Sequence, residues 1–192
     1  MLVCLDPRRG ETDYGEAGLN LAGKEVCLDL AIRIQRKLQN YEGISVTITR
    51  SVDGSASAEE RSRFANEQKA DLFISIHTNT CPDLAATGFT SYVSVIAGLK
   101  ARRIQCWLHN QIVCFLRNYG IHDMGKKNDT EFIGGHLREL RQVQMPAIAL
   151  SLFIPPSKQN QLLSDPEFLD RYASCIAEGI ARIYGCEQKT GA

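Results

Sequence analysis

A short and almost wholly apolar stretch, Leu72–Ile76, does most to limit the folds open to this chain. It is too apolar for a strand with one face in water, so it predicts a central strand covered on both faces. Such strands are typical of parallel sheets. His77 lies at the carboxyl end of this strand, and open α/β sheets bind their ligands at that end of their strands. His77 is therefore the first candidate site residue.

Strand-like and helix-like stretches alternate along the rest of the chain, and the alternation predicts an α/β fold. Apolar residues four apart predict a first helix that stops at Gly43, and Ser57 with Glu60 forms a capping box. The further predicted elements share this clear patterning: strands 2–6, 44–49, 88–95 and 146–152, and helices 24–42, 57–69, 99–118 and 164–185. We expect a mostly parallel, twisted sheet of about five to six strands with helices on both faces.

Length and hydrophobic content predict one domain. With 192 residues and 44% hydrophobic side chains, the chain can bury one core, which we place at residues 1–185. Residues 186–192 are predicted to be a disordered tail. The polar stretch 120–135 is predicted to be a loop that is mobile or faces a partner. Ser164–Glu167 reads as a second capping box that begins the last helix.

Charge and cysteine content exclude several classes of function. Lys+Arg and Asp+Glu are equal at 22 each, so nucleic acid is not an indicated partner, and no apolar run is long enough to span a membrane. The seven cysteines are odd in number and form no Cys-x-x-Cys motif. We interpret five of them as small core residues, which favours a reducing, cytoplasmic compartment: Cys4, Cys27, Cys106, Cys114 and Cys175.

Several motifs occur in a fixed order along the chain. They are Asp-Pro-Arg-Arg-Gly at 6–10, Gly-Lys-Glu at 23–25, Ser-Ile-His-Thr-Asn at 75–79 and Met-Pro-Ala-Ile-Ala-Leu-Ser at 145–151. This order resembles the zinc-dependent N-acetylmuramoyl-L-alanine amidase family. Its members carry Asp-Pro-Gly-His-Gly-Gly, a Glu opening the first helix, Ser-Ile-His-Ala-Asn and Pro-Ala-Val-Leu-Val-Glu in those places. The resemblance extends from residue 2 to about 184, and it implies peptidoglycan as the substrate and the cell envelope as the location, with a signal sequence absent from this chain.

The resemblance also implies a degenerate site. In the family, two histidines and the helix Glu bind zinc, and a second Glu transfers the proton from water to the leaving amine. Glu25 and His77 match two of the zinc ligands. Arg9 stands at the third ligand position, and Ser151 stands at the position of the proton-transferring Glu. We therefore predict no zinc cofactor; zinc would be required only if the domain were still hydrolytic.

The arginine is the substitution least compatible with a metal. Its guanidinium has no lone pair and a pKa above 12, so it repels a dication. We predict that Arg9 takes over the charge of the metal and pairs with Glu25. The alternative is that Arg8 and Arg9 face solvent and that Glu25 interacts with the dipole of its own helix.

Three other histidines could replace the missing ligand. His122 lies in the predicted loop and His136 follows Gly134-Gly135 at its end, and both are typical of solvated side chains. His109 is predicted to lie on a helix surface. Ser151 could act as a nucleophile beside His77, yet it lacks a Gly-x-Ser-x-Gly motif and no carboxylate is evidently placed to orient the histidine. A small filler residue is the simpler interpretation of Ser151. Cys81, four residues after His77, is a further candidate nucleophile, but only its proximity in the sequence supports it.

Three functions follow from these patterns. The first is a pseudoenzyme that binds a muropeptide or a protein partner through the old cleft. The second is an active peptidoglycan amidase with an unconventional site. The third is an interaction module in which residues 120–135 matter and the cleft does not.

Overall fold

The computed structural model of the protein describes residues 1–8, 21–50, 56–80, 87–132, 135–155 and 162–190. The strands of this part are β1 (Leu2–Pro7), β2 (Ser45–Ile48), β3 (Leu72–Thr80), β4 (Gly88–Val93), β5 (Asp123–Asn128) and β6 (Ala147–Ile154). The helices are α1 (Leu21–Leu38), α2 (Ala58–Glu67), α3 (Leu99–Arg117), α4 (Glu139–Gln142) and α5 (Pro166–Ile183), with a 3₁₀ turn at Asp129–Glu131.

The six strands form one sheet in the order β2-β1-β3-β6-β4-β5. Neighbouring strands run parallel except β4 and β6, which are antiparallel. This confirms the mostly parallel α/β sheet predicted from the alternation of strands and helices. β3 pairs with β1 on one side and β6 on the other, so the apolar stretch that predicted a central strand lies inside the sheet.

The helices cover both faces of the sheet. Side chains alternate across a strand, so Ile74 and Ile76 of β3 enter the larger core under α1, α3 and α5, while Phe73 enters a smaller core that includes Leu140 of α4. Ser75 and His77 follow Phe73 in this alternation. They therefore lie on the face that carries the smaller core, which α2 and α4 cover.

The stretch 120–135 predicted as a loop contains the edge strand β5. The prediction was wrong because the sequence Asp-Met-Gly-Lys-Lys-Asn has no apolar alternation, and pairing with β4 forms the strand instead. Side chains of α3 secure it. Gln105 donates a hydrogen bond to the carbonyl of Lys127 at 3.2 Å, and His109 contacts Asp123.

The segment predicted to be a disordered tail is ordered up to residue 190. Gln188 forms an antiparallel bridge with Tyr41, and the amide of Lys189 donates to the carbonyl of Asn40 at 2.8 Å. Residues 191–192 lie outside the described residues. Tertiary pairing with the end of α1, which no local pattern reveals, orders this segment.

Two helix ends differ from the predicted ones. α1 ends at Leu38 and not at Gly43, although Gly43 does adopt a positive φ of 70° in the turn that follows. The N-cap of α5 is Asp165, whose side chain accepts from the amide of Glu167, so a single cap by Asp165 takes the place of the capping box predicted from Ser164. The capping box of α2 at Ser57 and Glu60 is confirmed.

Three of the five cysteines predicted to be core residues are buried, namely Cys4, Cys27 and Cys175. Cys106 and Cys114 are exposed, because both point away from the buried face of α3. Across the described ranges, none of the helices combines the length and the apolar character that a membrane span requires.

Candidate functional site

His77 and Ser151 lie side by side near the carboxyl ends of two neighbouring strands. The register of β3 and β6 pairs the two residues directly, and both side chains are buried, with 5% and 0% exposed. The sequence analysis predicted this adjacency. On the other side of β3, β1 ends at Pro7, which pairs with Ile76. Arg8 therefore follows β1 at the same level as His77.

Arg8 contacts His77 directly. Its guanidinium lies 3.1 Å from Nδ1 of the imidazole, and its amide donates to the carbonyl of Ile76 at 3.0 Å. An arginine can only donate, so Nδ1 is the accepting nitrogen and the ring proton resides on Nε2. The guanidinium carbon also lies 5.0 Å from the centroid of the Phe132 ring, within cation–π distance.

A chain of hydrogen bonds continues from the other ring nitrogen. Nε2 of His77 lies 2.9 Å from Oγ of Ser75, whose hydroxyl donates to Asp6 at 2.9 Å. Asp6 also accepts from Thr49 at 2.7 Å and lies 2.8 Å from Nε of the buried Arg61. Because Arg8 can only donate, the chain runs in one direction from Arg8 to Asp6, and it fixes the tautomer of His77.

Glu139 adds a buried carboxylate to this cluster. It lies on the short helix α4 with 2% exposed, and its Oε1 is 3.5 Å from Nε2 of His77. No carboxylate was expected beside His77 from the sequence, and Glu139 shows that this expectation was wrong. The four charged groups of the cluster balance, because Arg8 and Arg61 face Asp6 and Glu139.

The pKa shifts follow from burial and from these charges. Burial lowers the pKa of His77, and the cation of Arg8 lowers it further, which outweighs the opposing effect of Glu139. Burial alone would raise the pKa of Glu139. Contact with His77 and the charge of Arg8 hold it well below its usual range instead. The cluster therefore contains a neutral imidazole and an ionised carboxylate.

Among the described residues, the hydroxyl of Ser151 has no hydrogen-bond partner, although the group is fully buried. His77 engages its own two ring nitrogens with Arg8 and Ser75, so no base is directed at Ser151. The arrangement gives no support to a serine nucleophile at this position. An unpaired buried hydroxyl is unusual in a folded protein, and here it lies beside the imidazole.

Glu25 lies near the start of α1. Its side chain is exposed on the first turns of α1, and Cys27, two residues on, packs its thiol 3.2 Å from Thr78 on the opposite face of the sheet from His77. Arg9 and Cys81 lie outside the described residues, so the predicted pair between Arg9 and Glu25 stays a prediction. His122 and His136 are exposed.

The residues described here do not fit a zinc ion. A zinc-binding histidine must offer a lone pair, whereas Nδ1 of His77 accepts from Arg8 and Nε2 carries its proton. The guanidinium also places a positive charge where a dication would have to approach. No three His, Cys, Asp or Glu side chains are grouped as a metal site requires in the part of the chain that the structure describes.

A second buried histidine lies on the other face of the sheet. His109 was predicted to be a helix-surface residue, but only 1% of it is exposed. Its Nδ1 lies 2.8 Å from Oγ of Ser91 and its Nε2 lies 2.9 Å from Asp123, so it joins α3 to β4 and β5. The 3.6-residue stripe predicted on α3 was correct, and His109 lies at its margin.

Sequence reasoning missed Arg8 and Glu139 as members of the site. Arg8 could have been found, because it follows β1 as His77 follows β3, and the ends of neighbouring parallel strands meet at one edge. Glu139 gave no comparable signal. It lies 62 positions from His77 on a helix of four residues, which is too short to show a period.

The fold and the site define an open α/β protein whose polar cluster lies at the carboxyl ends of its central strands. Comparison with known proteins gives the family. The family model for N-acetylmuramoyl-L-alanine amidases matches residues 3–182, and the chain belongs to that family.

Individual relatives agree with this assignment. The chain is 34% identical over 193 residues to the endolysin of Bacillus phage SPP1, with 99% of this chain and 68% of that protein covered. It is 28% identical over 188 residues to the sporulation-specific N-acetylmuramoyl-L-alanine amidase of Bacillus subtilis, covering 97% and 69%. Among solved structures, the N-acetylmuramoyl-L-alanine amidase of Clostridium difficile 630 matches with a TM-score of 0.82, 25% identity and 96% of each chain.

Proposed function

We propose that this amidase-family domain does not hydrolyse peptidoglycan and instead binds a muropeptide or a protein partner through the old cleft. The observation that carries the proposal is the contact between Arg8 and Nδ1 of His77 at 3.1 Å. It occupies the lone pair that a metal would need. In the family motif the residue after Asp-Pro is a glycine, so Arg8 is a second arginine substitution beside Arg9.

Loss of hydrolysis follows from the chemistry of the site. Bound zinc would lower the pKa of a water molecule and polarise the carbonyl of the substrate. In this chain Arg8 holds the imidazole as a hydrogen-bond acceptor, and Ser151 cannot move a proton as a carboxylate would. Glu139 is the nearest carboxylate to His77, but its low pKa and its burial make it a poor proton carrier at neutral pH.

The same residues favour binding of an anionic peptide. Arg8 is half-buried and its guanidinium lies over the Phe132 ring, at the sheet edge where α/β proteins bind ligands. Peptide stems of peptidoglycan carry free carboxylates, and a guanidinium is suited to hold them by two parallel hydrogen bonds. A muropeptide is therefore our first choice of ligand.

The alternative is an active amidase with an unconventional site. It is favoured by the relatives, which include proteins named as N-acetylmuramoyl-L-alanine amidases, and by the 34% identity to an endolysin. Such an enzyme would have to use a metal ligand from the residues not described here, or a different proton carrier.

Three measurements on the whole chain separate these possibilities. We expect less than about 0.1 zinc per chain after zinc loading and desalting, and no product from purified peptidoglycan. We expect calorimetric binding of a soluble muropeptide that weakens at least tenfold in Arg8→Ala. Stoichiometric zinc together with released stem peptide would establish the alternative. An inactive protein that does not bind the muropeptide would indicate that the ligand of the cleft is a protein partner.

Restoration of the family residues tests the cause of inactivity. We expect the triple variant Arg8→Gly, Arg9→His and Ser151→Glu to bind zinc and to release stem peptide. The double variant Arg9→His with Ser151→Glu is the matched control. The double variant should recover far less zinc binding and far less release of stem peptide, because Arg8 still holds the imidazole. Equal recovery in the two variants would show that Arg8 does not block the metal.

A further inference from the structure

The large apolar side chains that remain exposed in the described residues are concentrated in one segment. They are Val95, Ile96, Leu99 and Trp107, with exposed fractions of 44%, 79%, 81% and 67%. Leu99 and Trp107 lie about 12 Å apart along α3 at 1.5 Å per residue. Scattered exposed apolar residues are ordinary, but a cluster marks an interaction surface. We name residues 95–107 the α3 surface.

A groove adjoins this surface. It has a volume of about 260 Å³ and lies between the segment 94–101 and the segment 140–147. Ile96 and Met145 contribute apolar walls, and Lys100 contributes a cation. The groove is at the amino end of β6, which begins at Ala147. It is therefore at the opposite end of the sheet from His77 and does not overlap the old cleft.

Positive charge accompanies the apolar residues. α3 carries no Asp or Glu in its 19 residues, and its four cations are Lys100, Arg102, Arg103 and Arg117. The whole chain has a net charge of zero, so this helix concentrates charge that the rest of the molecule offsets. Arg141 at the groove forms an ion pair with Asp129. No comparable carboxylate contact is recorded for Lys100 or Arg103 across the described ranges.

We propose that the α3 surface docks an acidic segment of a partner protein, with an apolar side chain of that segment in the groove. Charge favours this partner over a second copy of the chain, since two α3 surfaces would bring cations together. The concave groove favours a protein segment over a bilayer, because a membrane surface cannot fill a cavity of this shape. The inference is independent of the function proposed for the cleft.

The chain provides its own reporter for this docking, because Trp107 is its single tryptophan. The probe is a synthetic amphipathic peptide of Glu and Leu without aromatic residues, and the control probe has every Glu replaced by Lys. We expect the acidic peptide to shift Trp107 emission to the blue and to reduce acrylamide quenching at least twofold. The basic peptide should do neither.

Variants of the surface test its specificity. Lys100→Glu with Arg103→Glu should weaken binding of the acidic peptide at least tenfold. Leu99→Ser should weaken this binding several-fold. The matched control, Arg36→Glu with Arg63→Glu, makes the same change of charge at exposed positions on α1 and α2 and should bind normally.

Four results would overturn the proposal. They are a Trp107 response to phosphatidylglycerol vesicles but not to the peptide, an equal response to both peptides, self-association in sedimentation that buries Trp107, and no response to any probe.

Discussion

The two buried histidines lie on opposite faces of one sheet and differ in what surrounds them. His109 joins a serine and a carboxylate, and its two nitrogens are satisfied at 2.8 and 2.9 Å. His77 also contacts a serine and a carboxylate, but a guanidinium occupies its Nδ1. The neighbouring hydroxyl of Ser151 has no partner in the part of the chain that the structure describes. The first histidine is part of a closed structural network, whereas the second belongs to a charged cluster at the edge where ligands bind.

The difference shows that two buried histidines of one sheet can have very different charged surroundings. At His109 one half-exposed carboxylate, Asp123, is enough, because the imidazole only links strands to a helix. At His77 the cation of Arg8 requires a compensating charge, and Glu139 supplies it from α4. A change at Arg8 is therefore expected to affect Glu139 as well, because a lone buried charge is costly.

The largest effect is expected from breaking the His77 cluster. Glu139→Ala leaves Arg8 without its compensating carboxylate, so we expect the free energy of unfolding to fall by about 2 to 4 kcal/mol. Denaturant unfolding measures it. The double variant with Arg8→Ala should cost less than the sum of the two single changes. Additive costs would show that the two side chains do not interact. The control is Glu59→Ala at an exposed position of α2, which should change the free energy of unfolding far less.

A smaller loss is expected at the other histidine. His109→Leu keeps a bulky apolar group but leaves the hydroxyl of Ser91 buried without its partner, which should cost about 1 to 3 kcal/mol. His122→Gln, at an exposed position, should change stability by less than about 0.5 kcal/mol. A loss at His109 no larger than this would mean that the network does not support β5.

The pH dependence of stability separates the two histidines further. Burial lowers the pKa of His109 below its ordinary 6.5, and Asp123 only partly offsets this effect. The unfolded chain therefore binds protons that the folded chain excludes, so stability is fully present above about pH 6.5 and is lost as the pH falls. We expect unfolding measured from pH 8 to pH 5 to show this loss, and His109→Leu to reduce its slope. Burial lowers the pKa of His77 too, so His77 contributes with the same sign. An unchanged slope would assign the whole dependence to other groups.

The smallest effect is expected at Glu25. Its side chain is exposed on α1, so Glu25→Gln should alter the free energy of unfolding by less than about 0.5 kcal/mol. Thermal and denaturant unfolding at low salt would detect a larger change in this free energy. A cost above about 1 kcal/mol that disappears when Arg9 is also neutralised would instead support the predicted pair of Arg9 with Glu25.

Local sequence patterns predicted the central strands and the alternating edge strand β2 well, but they missed the polar edge strand β5 and the order of the last residues. The apolar run before His77 predicted β3 correctly, because a strand that is buried on both faces needs apolar side chains on both faces. β5 was missed because an edge strand of polar residues has no period of its own. The order of residues 186–190 was missed for the same reason, since pairing with Tyr41 is a contact between distant parts of the chain.

The sequence by itself determined the fold class, the family and the position of His77 and Ser151 on adjacent strands, because periodicity and motif order are local properties. Only the tertiary structure decided which charged groups meet at His77. Arg8 reaches it because β1 and β3 are neighbours, and Glu139 reaches it because α4 packs on that face of the sheet. Contacts of this kind depend on how separate elements pack, and a buried charge is tolerated only where that packing brings its partner close.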